Sequence, residues 1–176
     1  MAGDERALDY TVVAMGRAGV EQLLYLMDQA FEAREAHEWH SLLSNLESVR
    51  DEDWLRVPDG GVRSIAEIAE HVGEGKRMYA NHAFGDAKMK WDDFGARLAN
   101  LPAKAEMIGW LRQGQALWRG CVERLDDEGL TQPRMAHWGR QSETRWLIAT
   151  MIEHDLYHAG EINYLRALAQ GNDERY

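Results

Sequence analysis

His154 and His158 stand four residues apart in EHDLYHAGEINYLRALAQG, a stretch whose apolar residues recur at helical spacing. At about 100° per residue, Leu147, Met151, His154, His158, Glu161, Ile162, Leu165 and Ala169 share one sector of a helix. Two imidazoles one turn apart on an apolar stripe can reach a single ion. Either alone reads as a core histidine bonded to a neighbour; stacked, they make metal ligation an equal reading. A pair leaves an ion mostly to water, so a third ligand has to come from another helix. His71 is the candidate, on the stripe Ile68, His71, Gly75 and Met78, where Gly75 removes bulk at a point of entry. Three neutral imidazoles leave positions open for water or substrate, as catalytic rather than structural sites do. Glu161 follows His158 by three residues on the same face. It is the catalytic candidate, placed to orient a ligand, bind the ion or carry a proton, with a solvent-facing rim carboxylate as the ordinary alternative. Asp155 is expected outside the stripe. His37, His40, His82 and His137 lie in charged, terminal or loop positions and are assigned no ligand role.

Spacing excludes other constellations. A di-iron bundle needs two Glu-x-x-His pairs, and no histidine here has Glu three residues before it. HEWHS at 37–41 departs from the zincin pattern His-Glu-x-x-His at Ser41. The chain has neither Gly-x-Ser-x-Gly nor a phosphate-binding glycine loop. Its single cysteine, Cys121, rules out an intrachain disulfide and reads as a small buried apolar residue.

The elements that must position these residues are helical. Residues 20–49 carry two apolar stripes, one of Val20, Leu23, Leu24, Met27 and Phe31, the other of Trp39, Leu42, Leu43, Leu46 and Val49. They predict one long first helix, shifted or kinked at the charged stretch 32–38. Pro58, Gly60 and Gly61 mark a loop, and Ser64 with Glu67 is a capping box opening a second helix over about 64–84. A connection over 85–102 carries Trp91 and Phe94, expected to pack over the body of the protein. A third helix follows over about 103–126, then a loop over 127–142. Ser142 is the expected N-cap of a fourth helix reaching Gln170, before Gly171. No alternating run is long enough for a strand. The class is all-α, a four-helix bundle with long connections between helices 2 and 3 and between helices 3 and 4. The expected division is an N-terminal extension over 1–19, the bundle over 20–171 and a tail over 172–176.

Composition agrees with one such domain: 176 residues, 45% hydrophobic, 28% charged and three prolines. At this size about 70% of the unfolded surface is buried on folding, so the core needs no structural metal. Thirty acidic against twenty basic residues give a net charge of −10, which speaks against nucleic acid or an anionic membrane as partner. The start MAGDERALDY lacks a basic signal-peptide stretch, and a cytoplasmic protein is expected. Seven tryptophans, with Trp54, Trp91 and Trp138 as exposed candidates, point to a homodimer.

AEIAEHVGEGKRMYANHAFGD around His71, together with His-x-x-x-His-x-Gly-Glu-Ile beginning at His154, resembles the DinB-like (YfiT-like) superfamily of metal-binding four-helix bundles, over about 20–171. The resemblance implies a divalent ion, Zn²⁺ or Ni²⁺, on His71, His154 and His158. It also implies a small-molecule substrate such as a low-molecular-weight thiol, and chemistry of the thiol S-transferase or hydrolase type; many relatives carry Gln at the position of Glu161. The alternative it allows is a non-catalytic, small-molecule-binding or stress-related bundle that retains the ion. Arg134, Arg140 and Arg145 are candidates to hold an anionic cosubstrate, against a plainer reading as scattered surface charge.

Overall fold

The structure is a computed structural model that describes residues 16–33, 40–94 and 101–174. The expected long first helix is two helices, α1 (Ala18–Glu32) and α2 (Leu42–Glu47). Ala33, at φ −63° and ψ 145°, turns the backbone extended and ends α1. Ser41 restarts the helix by accepting a bond from the Ser44 backbone N–H at 3.4 Å. His37 and Trp39, and the expected kink beyond Ala33, lie outside the described residues. So do residues 1–15 of the expected extension; Ala18 and Gly19 already belong to α1.

α3 (Ile65–Phe84) opens on the expected capping box: Ser64 Oγ accepts from Glu67 N, and Glu67 Oε2 accepts from Ser64 N at 2.7 Å. The connection that follows contains a short 3₁₀ turn, Trp91–Phe94, and leads to α4 (Lys104–Glu123). The stretch 127–142 corrects the expectation of a plain loop. β1 (Pro133–Met135) pairs antiparallel with β2 (Gln141–Glu143), with Arg134 opposite Ser142. Three residues per strand are too few to show an alternating pattern in the sequence. Ser142 is therefore a ladder residue and no cap. α5 (Thr144–Gln170) begins after Glu143, and its first N–H groups donate to loop carbonyls instead, Thr144 to Gln132 and Arg145 to Leu130. Gly171, at φ 71°, closes α5 in the left-handed conformation that glycine adopts without strain.

The four long helices form the all-α bundle, with α5 packed against α1, α2 and α3, and α3 against α4. Its core has two apolar clusters. Val20, Leu24, Met27, Trp118, Leu147 and Met151 belong to one; Leu42, Leu46, Ile65, Ile68, Leu111 and Ile162 belong to the other. Between them lies a buried polar layer of Lys76, Gln115, Asp155 and His158. Trp54, expected exposed, is 3% exposed and donates its indole N–H to the Pro102 carbonyl at 2.9 Å, which fastens the loop before α3 to the start of α4.

Candidate metal centre

His71 comes from α3 and His154 and His158 from α5, and the helices bring all three together as the spacing predicts. His154 Nε2 lies 3.2 Å from His71 Nε2 and 3.2 Å from His158 Nε2. All three donor atoms fall within 4.8 Å of one another. His158 is buried and the other two are half-buried. Gly75 faces the His154 ring: a Cβ there would lie 3.5 Å from His154 Cε1, an ordinary contact. Trp91 stacks on His71, ring centroids 5.9 Å apart and planes within 21°, and with His82 and His137 it lines a cleft on that side of the site.

These nitrogens fit a cation. Burial is the largest influence on each ring and lowers its pKa, taking His154 down to about 3, so all three are neutral at pH 7. Two neutral imidazoles cannot aim lone pairs at each other at 3.2 Å without repulsion. Without an ion a proton has to sit in each short contact; one cation satisfies all three donors at once. Bonds of 2.0–2.1 Å to a tetrahedral ion put imidazole nitrogens about 3.3 Å apart, close to the 3.2 Å of the two contacts through His154.

Glu161 stands beside the centre. Its Oε2 accepts from His158 Nδ1 at 2.8 Å, and Arg63 grips the same carboxylate through Nε to Oε1 (3.1 Å) and Nη2 to Oε1 and Oε2 (2.8 and 3.0 Å). Partial burial works against its charge, but the bonds from Arg63 and His158 prevail and hold the carboxyl below its ordinary range. Sequence reasoning missed Arg63. The available signal was its place next to the N-cap Ser64, since a cation at a helix start opposes the dipole and calls for a partner elsewhere.

Asp155, expected outside the stripe, is 0% exposed and meets the equally buried Lys76 at 2.6 Å. α5 is enclosed by three helices, so its buried sector is wider than one apolar stripe. Two of the three candidate anion-holding arginines are committed elsewhere: Arg134 to Thr144, the Ala83 carbonyl and the Phe84 ring, Arg145 to Glu143 and the Trp146 ring. Cys121 is buried, and burial raises its thiol pKa.

Comparison with curated proteins gives no match. The family model described as DinB superfamily matches residues 36–162, a range that holds α2 to β2, most of α5 and all of His71, His154, His158 and Glu161. With that match over most of its length, and with a helical bundle that brings these histidines together, the chain belongs to the DinB superfamily.

Proposed function

We propose that the protein is a metal-dependent enzyme in which His71, His154 and His158 hold one Zn²⁺ or Ni²⁺ ion and a small thiol or water occupies the open side. The convergence of three imidazole Nε2 atoms, partnered among the described residues only by each other, carries this reading. A divalent ion held by three neutral ligands lowers the pKa of a bound water or thiol into the neutral range. The chain's own residues supply the rest. His158 is turned toward the centre by the Glu161 carboxylate, and the Trp91 indole stacks beside His71. The nucleophile comes from the ligand, because burial keeps the lone Cys121 protonated.

One observation favours the non-catalytic alternative: Glu161, the sequence's catalytic candidate, has both oxygens engaged by Arg63 and His158. The experiment that separates these readings starts from elemental analysis of untagged protein, with about one divalent ion per chain expected. Cobalt-substituted protein should then develop a sulfur-to-metal charge-transfer band with a small thiol. The band should vanish in His158→Ala and persist in Cys121→Ser. Metal content near zero sinks the site; cobalt protein that shows neither the band nor hydrolysis of an ester or amide favours the binding module.

A further inference from the structure

We infer that Arg63 is a positioning residue of this centre, acting through Glu161 to hold His158 in the tautomer and orientation that present Nε2 to the ion; the inference rests on the metal-binding reading above.

Arg63 directly precedes Ser64, whose capping box fixes the start of α3. The side chain therefore leaves from a defined point and crosses to α5, a contact spanning 98 residues of sequence. Its planar guanidinium makes the forked contact with a carboxylate that an ammonium cannot reproduce. A glutamate alone three residues beyond a histidine on a helix has several rotamers of similar energy. Here the fork selects one, with Oε2 placed 2.8 Å from His158 Nδ1. A carboxylate accepts and does not donate, so the proton of neutral His158 sits on Nδ1 and the lone pair on Nε2. Nε2 is the atom that faces His154 Nε2.

Charge points the same way. An isolated carboxylate against His158 would add a negative charge to a site of three neutral ligands. Arg63 cancels it, so the pair orients the ring without changing the net charge of the site. Because Arg63 adjoins α3 and Glu161 lies on α5, the same ion pair also sets the offset of His71 against His154 and His158. An ordinary half-exposed ion pair would do neither and would contribute little.

The full chain is tested with zinc and cobalt by competition against a chromophoric chelator, in wild type, Arg63→Gln, Arg63→Lys, Glu161→Ala and Arg63→Gln/Glu161→Ala. Arg63→Gln should weaken the metal on the order of 10-fold, the low end for residues that orient a ligand, and shift the cobalt d–d bands. Arg63→Lys should recover part of the loss. In the Glu161→Ala background Arg63→Gln should do nothing more. Long-range ¹⁵N NMR of the metal-free protein is the second readout, with His158 as the Nδ1–H tautomer in wild type and a mixture in Arg63→Gln. Equal affinity and an unchanged tautomer in Arg63→Gln overturn the inference. So does an undiminished Arg63→Gln effect without Glu161, which would mark a role in the fold alone. Wild type that binds neither metal overturns the metal reading instead, and the tautomer measurement still decides the role of Arg63. Should Arg63→Gln fail to fold, Arg63→Lys, which keeps the charge and loses the fork, decides by the same two measurements.

Discussion

Burial sets the protonation of the three histidines, and this gives the metal-free protein a pH dependence of definite sign. The unfolded chain takes up a proton at each histidine near pH 6.5, whereas the folded chain resists until a lower pH, about 3 for His154. Between those values the unfolded state binds more protons, so stability falls as pH falls, and the loss ends once the folded rings also titrate. Urea denaturation at pH 7 and 4.5 should show metal-free wild type losing more stability than His154→Gln, by on the order of 1–2 kcal/mol. Equal losses would mean that His154 is not held neutral. Zinc affinity of the folded protein should fall only as pH approaches the lowered pKa values of the folded rings, where protons begin to compete for the ligand nitrogens.

Two glycines on α3 separate packing from propensity. A Cβ at Gly73 would lie 2.0 Å from Trp110 Cζ3, so Gly73→Ala has to displace an indole wedged between α3 and α4. The expected cost is about 1–3 kcal/mol. At Gly75 the added Cβ meets only His154 Cε1, at an ordinary 3.5 Å. There the gain in helix propensity should dominate, stabilising the fold by about 0.5–1 kcal/mol while zinc binding is retained. Thermal or urea unfolding of the two variants checks both; the same sign at both positions would contradict the packing described. Ser64→Ala removes the capping box and should cost about 1 kcal/mol in the same measurement.

Across the whole molecule, two apolar clusters hold the bundle, and the polar layer lies between them. Metal removal should therefore leave the helical circular dichroism nearly unchanged, as should His154→Ala, with only the metal lost. A collapse of helicity in chelator would show that the ion supports the fold. The Lys76–Asp155 pair is a different matter. Burial pulls Lys76 toward its neutral amine and Asp155 toward its neutral acid, and each opposes that pull on the other by charge and hydrogen bond. Lys76→Met alone strands a buried carboxyl and should cost about 3–5 kcal/mol. Lys76→Met with Asp155→Leu should regain most of that. A double variant no better than the single would mean that the pair is more than mutual compensation.

The sequence by itself determined what depends on neighbours a few residues away. The stacking of His154 over His158 follows from helical pitch, the capping box at Ser64 from a three-residue spacing, and the stop at Gly171 from the freedom of a residue without Cβ. The apolar stripe of α3 was enough to single out His71. The four long helices were legible for the same reason, although the break between α1 and α2 was not, since both segments carry apolar stripes of helical period. Only the tertiary structure decided what depends on residues far apart in the chain: the burial of Trp54 with its bond to the Pro102 carbonyl, the Lys76–Asp155 pair across 79 residues, and the grip of Arg63 on Glu161. Such pairings leave no period in the sequence. The enclosure of α5 by three helices buries Asp155 off the apolar stripe, and its charge is met by Lys76 on another element.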